Sequence, residues 1–241
     1  MLGMEEEILA LIGDDPHPAL LNLKLADLML NIASHYIVID GVTRMVLKLK
    51  NEESLNEARK VLYKSIIYME QVVSRYIDAP YSDYEDMIME ISVYTPAQRY
   101  HLMRKMGFAI ELLENAYGNN TKWKWAFVDM EGRYAAAAKN ILNLKDVLIN
   151  SEFESEHYEP TVRHLMLVKK LLSQAADRYR QKYELSTKRI DDFQNAILFL
   201  SSLRRLCIVT GDRDEAATAK KKLDIWNAKL TSDTEKSKNT K

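Results

Sequence analysis

The sequence contains few of the residues that make tight turns and covalent cross-links. Its 241 residues include 7 glycines, 5 prolines and a single cysteine, Cys207. An all-β fold needs a turn roughly every 8–12 residues, and so few glycines and prolines could hardly supply those turns. One cysteine excludes an internal disulfide, and nothing in the composition argues for an oxidising compartment. The composition therefore favours long helices joined by few connections.

Long hydrophobic runs and export signals are also missing from the sequence. The first residues, MLGMEEE, are acidic where a signal peptide is basic, and the apolar run at 8–12 is too short for a signal-peptide core. The longest uncharged apolar stretch, at 28–39, is shorter than the roughly 18–20 residues that a membrane span needs. We therefore expect a cytoplasmic protein without membrane insertion.

A strong net charge of either sign is absent as well. The formal net charge is −1, with 34 Lys and Arg against 35 Asp and Glu. Residues 1–150 carry 16 basic and 21 acidic side chains, whereas residues 151–241 carry 18 and 14. The more basic second half either favours an acidic partner or complements the first half of the same molecule.

What the sequence does contain is apolar residues spaced by three and four, beginning after the acidic and proline-rich residues 14–18. The first stripe consists of Leu21, Leu25, Leu28, Ile32, His35, Ile39, Val42, Val46 and Leu49. A second apolar stripe runs beside the first. A helix that is apolar over most of its circumference is typically buried on several sides. We expect this helix to be central and His35 to be a core histidine. Gly41 is compatible with a break in the helix.

Further helices are expected to begin near residues 52, 95, 121, 160, 188 and 212, with a short additional helix after the capping box Ser82–Glu85. The predicted fold is all-α, an antiparallel helical bundle or an irregular stack of about seven to eight helices. We expect an N-terminal segment at 1–17, a single helical domain at 18–230 and a disordered tail at 231–241. The acidic linker at 150–160 is the candidate subdomain boundary.

The end of the chain resembles a tetratricopeptide (TPR) helix pair over about 30 residues, best at 199–226. The matching positions are Leu203, Cys207, Gly211, Asp212, Glu215 and Ala216. Arg204, Lys220 and Leu223 depart from the pattern, and no regular 34-residue period runs through the chain.

This resemblance implies a concave groove that holds a peptide or helix of another protein. The groove-facing positions of the repeat correspond here to Ser201, Arg205 and Ile208. These three residues are our candidate partner-binding residues in the second half of the chain.

The sequence offers no pattern typical of catalysis or of metal and cofactor binding. Glu154 and His157 have the Glu-x-x-His spacing of di-iron bundles, but they lie in the acidic linker. Cys207 follows Arg204 and Arg205, as a catalytic thiolate could, yet its apolar neighbours indicate a small core residue. No glycine-rich phosphate loop exists. We predict no catalytic residue, cofactor or metal, although helices can bring distant carboxylates together without a local signature.

Aromatic residues are the remaining candidates for contacts with a partner. Trp123 and Trp125 lie on different sides of a helix start, and exposed tryptophan is typical of interface anchors. Thirteen tyrosines are many for a chain of this length. Tyrosines whose hydroxyl edge is exposed to solvent are suited to interfaces. Our leading hypothesis is a non-enzymatic scaffold or adaptor that binds a partner protein through a groove or helical face. A homo-oligomer is compatible with the sequence.

Two alternatives stay open from the sequence. One is a ligand- or metal-binding helical bundle, enzymatic or not, whose site is assembled from separate helices. The other is a nucleic-acid-associated protein that uses basic residues of the last three helices, although acidic residues interleave with them and argue against it. Those basic residues are Arg178, Arg180, Lys182, Arg204, Arg205, Lys220, Lys221 and Lys222.

Overall fold

The computed structural model describes residues 18–118 and 122–239, together with Glu6, Glu7 and Ala10. All regular structure in these residues is helical and they contain no strand, so the prediction of an all-α fold is confirmed. The segment predicted at 1–17 lies largely outside the described residues, as do residues 240 and 241 of the predicted tail.

Nine α-helices occur in the described part of the chain, and two of them, α3 and α6, have only six residues. The nine are α1 (Pro18–Leu47), α2 (Glu52–Val72), α3 (Glu85–Glu90), α4 (Pro96–Tyr117), α5 (Lys124–Asn140), α6 (Leu144–Ile149), α7 (Tyr158–Lys182), α8 (Ile190–Val209) and α9 (Arg213–Asn239). Short 3₁₀ turns flank α3, and a π-helical turn at Tyr183–Thr187 extends α7.

The chain divides into two compact units, Met1–Arg163 and His164–Lys241, and the division falls within α7. It lies a few residues beyond the linker at 150–160 that the sequence offers as a subdomain boundary. We refer to the two parts as unit 1 and unit 2.

Unit 1 is built on four long helices, in which α1 and α4 run antiparallel to α2 and α5. Side-chain hydrogen bonds to backbone carbonyl groups join neighbouring helices at several points. They include Ser65 Oγ to Ala26 O at 2.8 Å, Tyr63 Oη to Ala126 O at 3.0 Å and Tyr134 Oη to Met103 O at 2.7 Å. Because these bonds are long-range in sequence, they fix which helices are neighbours as well as burying polar groups.

The first helix is predicted to be central and buried on several sides, and the structure differs from that prediction in the second half of the helix. Its N-terminal half is buried, but its outer side is exposed from about Val38 onward, and His35 is exposed. The Nδ1 atom of His35 lies 2.7 Å from the carbonyl oxygen of Asn31, within the helix itself. Apolar periodicity predicts which face can be buried, but burial also requires a neighbouring element. Helix α1 runs without a break through Gly41.

Helices α4 and α5 approach closely at Gly107 of α4, and α5 also contains the fully buried alanine run 135–138. An added Cβ at Gly107 would lie 2.6 Å from the buried hydroxyl oxygen of Tyr134. The same addition at Gly41 meets nothing within 4 Å. The two glycines are therefore matched positions within helices, one crowded and one open.

We expect Gly107→Ala and Gly41→Ala to change the free energy of unfolding in opposite directions. Gly41→Ala should stabilise the protein by about 0.5–1 kcal/mol, because alanine loses less backbone entropy in a helix. Gly107→Ala should destabilise it by about 1–3 kcal/mol, because Tyr134 must move from its packed position. Urea denaturation followed by circular dichroism measures both. Stabilisation by both variants would contradict the close approach of α4 and α5.

Unit 2 contains the part of α7 from His164 onward, α8 and α9. The rings of Tyr179 and Phe199 stack with centroids 5.5 Å apart, and those of Phe193 and Trp226 lie 6.0 Å apart, so α8 packs against both other helices. The Lys222 Nζ lies 2.7 Å from Asp177 Oδ1, which also joins α9 to α7. The order of these contacts makes α7 and α9 parallel to each other and antiparallel to α8.

The end of the chain also differs from prediction, because α9 continues to Asn239 where a disordered tail is expected from residue 231. The absence of apolar residues after 230 is the reason for the prediction. The structure supplies polar contacts instead: Tyr183 Oη donates to Asp233 Oδ2 at 2.8 Å, and Thr234 Oγ1 donates to Leu230 O at 2.7 Å.

Candidate functional site

The candidate residues on α8 lie on one exposed side of that helix. Ser201 is half-buried, while Arg205 and Ile208 are exposed, with Ile208 56% accessible. Leu198 precedes them at helical spacing and is also exposed. We call these four residues the α8 face. The opposite side of α8 forms the core of unit 2 and holds Phe193, Ala196, Phe199, Leu200, Leu203 and Cys207.

Unit 2 closes as a three-helix arrangement and leaves the α8 face as a surface. The Lys169 Nζ on α7 lies 2.7 Å from Asp212 and 3.0 Å from Glu215, at the start of α9. Helices α7 and α9 contact each other as well as α8. The exposed side of α8 is therefore a helical face on the surface of unit 2. A partner would lie across α8.

Cys207 lies in the core beneath the α8 face and is fully buried. Burial raises the pKa of its thiol to about 12, and the positive charge of Lys169 offsets that rise only in part. At neutral pH the thiol is therefore protonated, and a protonated thiol is a poor nucleophile. The arginines that precede it in sequence do not supply the nearby charge, since Arg205 is exposed to solvent.

The two candidate tryptophans of unit 1, Trp123 and Trp125, are both half-buried. The guanidinium carbon of Arg59 lies 3.9 Å from the centroid of the Trp123 ring, and Lys122 Nζ lies 5.3 Å from it. Lys124 Nζ lies 5.1 Å from the Trp125 ring. Both rings therefore make cation–π contacts, which combine an apolar face with positive charge.

Trp123 belongs to a larger group of aromatic and cationic side chains at one end of unit 1. Tyr117 Oη donates to Asn56 Oδ1 at 2.8 Å, and Lys50 Nζ lies 4.9 Å from the Tyr117 ring. Arg59 also acts on Tyr117, because its positive charge partly offsets the rise that burial causes in the pKa of that hydroxyl. We call this group the cation–aromatic cluster, and it consists of Lys50, Arg59, Tyr117, Lys122 and Trp123.

The second half of α1 carries an exposed apolar surface beside this cluster. We call it the α1 stripe, and it consists of Val38, Ile39, Val42, Met45, Val46 and Leu47. Their accessible fractions range from 46% at Ile39 to 74% at Met45. By length and composition, α1 is the one helix in the described part of the chain that could cross a membrane. Its first half is instead packed in the core of unit 1.

One group of buried polar side chains and backbone carbonyls in unit 1 is centred on Asn140. Asn140 is fully buried, donates through Nδ2 to Ser74 O and Tyr76 O, and accepts from Tyr84 Oη at 3.3 Å. Burial raises the pKa of Tyr84 to about 12, so this hydroxyl stays a donor at neutral pH. This network joins three segments of unit 1, and the half-buried Lys139 Nζ lies 3.5 Å from its Tyr84 hydroxyl.

A cleft of about 370 Å³ lies between α1 and the start of α4. Its polar lining includes Lys24, Asp27, Tyr94, His101 and Lys105. Lys105 Nζ lies 2.5 Å from Asp27 Oδ1, so two of the charged groups are paired. The size suits a small ligand, and the ligand-binding alternative has a candidate location here.

In the described part of the chain, metal binding would need clustered ligands and nucleic-acid binding would need clustered cations. No group of three or more His, Cys, Asp or Glu side chains in that part of the chain could hold a metal ion. Several basic residues of the last helices are ion-paired: Arg180 with Glu184 at 3.1 Å and Lys222 with Asp177 at 2.7 Å. Paired cations offer less net positive charge to a phosphate backbone.

Sequence reasoning named Ser201, Arg205, Ile208 and the two tryptophans as candidates, and it missed the exposure of the α1 stripe and the cation–aromatic cluster. The stripe has a sequence signal, because Asp40 and Arg44 are the only charged residues of α1 after Ser34, and Asp40 is buried. The cluster has none, since Arg59 and Trp123 come from distant parts of the chain. Comparison with known proteins places residues 1–234 within the TP0443 family. Searches of curated proteins and of solved structures found no similar protein.

Proposed function

The chain belongs to the TP0443 family, and we propose that it is a non-enzymatic cytoplasmic scaffold that binds a partner protein through the α8 face. The resemblance of residues 199–226 to a TPR helix pair is part of this proposal. In that interpretation the TPR-like surface is used as a helical face rather than as a deep groove.

The observation that carries the proposal is the composition of the α8 face. Leu198 and Ile208 present apolar area to solvent, with Arg205 between them on the same side of the helix. Arginine is among the residues that dominate binding energy at interfaces, and the buried core of an interface is more apolar than the rest of the surface. The helix beneath is rigid, because its opposite side is packed in the core of unit 2, so little ordering is needed on binding.

The experiment is affinity capture from a native lysate with the full chain and two matched variants. Ile208→Asp places a charge on the α8 face, and Ile225→Asp places the same charge on α9, where Ile225 is 68% accessible. We expect the unmodified chain to retain a protein in stoichiometric amount. Ile208→Asp should lower that amount at least about tenfold, because a buried unpaired charge at an interface costs more than about 1.4 kcal/mol.

The Ile225→Asp variant should retain the partner like the unmodified chain. Capture of no stoichiometric protein would contradict the proposal, and so would equal losses in the two variants. Circular dichroism of both variants controls for folding, which substitutions of exposed residues leave largely unchanged.

A further inference from the structure

The α1 stripe and the cation–aromatic cluster form one continuous surface at an end of unit 1. Lys48, Leu49 and Lys50 follow the stripe directly in the sequence and are exposed. Lys50 Nζ donates to Tyr117 O at 3.0 Å, which joins the turn after α1 to the end of α4. The surface thus combines aliphatic side chains, two aromatic rings and several cations.

Charge on this surface is predominantly positive. The segment 35–50 contains a single acidic residue, Asp40, which is buried and accepts hydrogen bonds from Asn51 N at 2.8 Å and Arg44 Nε at 2.7 Å. The nearest exposed acidic residues in the sequence, Glu52 and Glu53, begin α2. A complementary partner is therefore apolar where it meets the stripe and anionic where it meets Lys48, Lys50 and the cluster.

We infer that this surface docks the chain on an anionic lipid membrane, with the second half of α1 lying in the plane of the interface. Aliphatic side chains of such a helix enter the boundary between headgroups and acyl chains, while lysine stems extend their charge back to the headgroups. Tryptophan and tyrosine prefer the same depth. The stripe spans residues 38–47, a length of about 15 Å.

Docking on the membrane differs from crossing it. The first half of α1 is held in unit 1 by its packing against α2, including the hydrogen bond from Ser65 Oγ to Ala26 O. Because that half is largely covered by protein, with Leu20, Leu21 and Leu28 partly exposed, it offers little apolar surface to lipid. In the second half of α1, Val38, Ile39, Val42, Met45 and Val46 share one open side, which is the arrangement of an in-plane helix.

A second copy of the chain fits this surface less well than an anionic membrane. Two α1 stripes in contact would cover their apolar area but would bring Lys48 and Lys50 of both copies to the interface without exposed acidic groups on the same segments. Anionic headgroups supply the missing negative charge. The inference rests on unit 1 alone and is independent of the α8 face.

The experiment is flotation of the full chain with vesicles of phosphatidylcholine alone and with about a quarter phosphatidylserine. We expect binding to the anionic vesicles at least about tenfold tighter than to the neutral ones, falling with added salt because headgroup attraction is screened. Met45→Asp should weaken binding to the anionic vesicles at least about tenfold by placing a charge in the apolar contact.

Two further variants separate the contributions and control for folding. Ile149→Asp makes the same change at a residue of unit 1 with the same 74% exposure and should leave binding unchanged. Lys48→Gln combined with Lys50→Gln should reduce the preference for anionic vesicles while leaving weak binding to neutral ones.

Three results would overturn the inference. The first is an absence of binding to either vesicle. The second is an equal loss of binding in Met45→Asp and Ile149→Asp. The third is that Met45 mediates a different contact. In that case sedimentation without lipid shows a dimer, or an acidic protein binds to the chain, and Met45→Asp abolishes that contact while vesicle binding is unaffected.

Discussion

Asn140→Ala is expected to lower the free energy of unfolding by about 3 kcal/mol, because the fully buried amide satisfies three partners at once. Removal leaves the carbonyl oxygens of Ser74 and Tyr76 without their Nδ2 donor and the Tyr84 hydroxyl without its acceptor. In urea, the midpoint followed by circular dichroism should fall without a change in the slope of the transition.

The matched control for this prediction is Asn31→Ala, an exposed asparagine within α1. Its effect should stay within about 0.5 kcal/mol, since alanine has the higher helix propensity and no buried partner is lost. A loss below about 1 kcal/mol in Asn140→Ala would mean that water satisfies these carbonyl groups and that the network does not join the three segments.

Phe193→Ala is expected to lower the free energy of unfolding of unit 2 by about 3–5 kcal/mol, because it removes a fully buried ring from the core of that unit. The ring stacks on Tyr183 with centroids 4.9 Å apart and lies 6.0 Å from the Trp226 ring. Since unit 2 contains a single tryptophan, a variant with Trp123→Phe and Trp125→Phe lets Trp226 fluorescence report its unfolding alone.

For a domain of this size, a loss of about 3 kcal/mol lowers the midpoint temperature by roughly 12 °C or more. Phe193→Leu keeps most of the buried volume and should cost less than half as much as the alanine variant. Equal midpoints for the leucine and alanine variants would show that the ring stack contributes little and that unit 2 is held mainly by other contacts.

Local sequence signals predicted the helices well where a chemical reason lay within a few residues. The Thr95–Gln98 capping box is present with both hydrogen bonds, and α4 begins at Pro96. Asp212 Oδ1 accepts from Glu215 N at 3.2 Å at the start of α9. The capping box expected at Ser82–Glu85 is different: Tyr81–Asp83 forms a 3₁₀ turn and α3 begins at Glu85 without a side-chain cap.

Features that depend on distant residues could not be predicted in this way. The same apolar spacing describes both halves of α1, yet only the first half has neighbouring helices to cover it. Likewise, nothing near Trp123 in the sequence indicates that Arg59 stacks on its ring. The candidates on α8 came from the resemblance to a TPR helix pair, and the structure adds their exposure: Ser201 is half-buried, and Arg205 and Ile208 are exposed.

Together the two proposals describe a protein that works through its surfaces: the α8 face for a protein partner and the α1 stripe for a membrane. The first half of α1 and the opposite side of α8 are packed in the cores of their units. Both surfaces are therefore held on rigid elements, which favours binding without large rearrangement.

The most direct test of the scaffold proposal is site-specific photo-crosslinking in cells, with a crosslinking residue placed at position 208 or at position 225. The proposal predicts a single prominent protein adduct from position 208 and none of that mass from position 225. The same adduct from both positions, or none from position 208, would contradict the claim that the α8 face binds a partner protein.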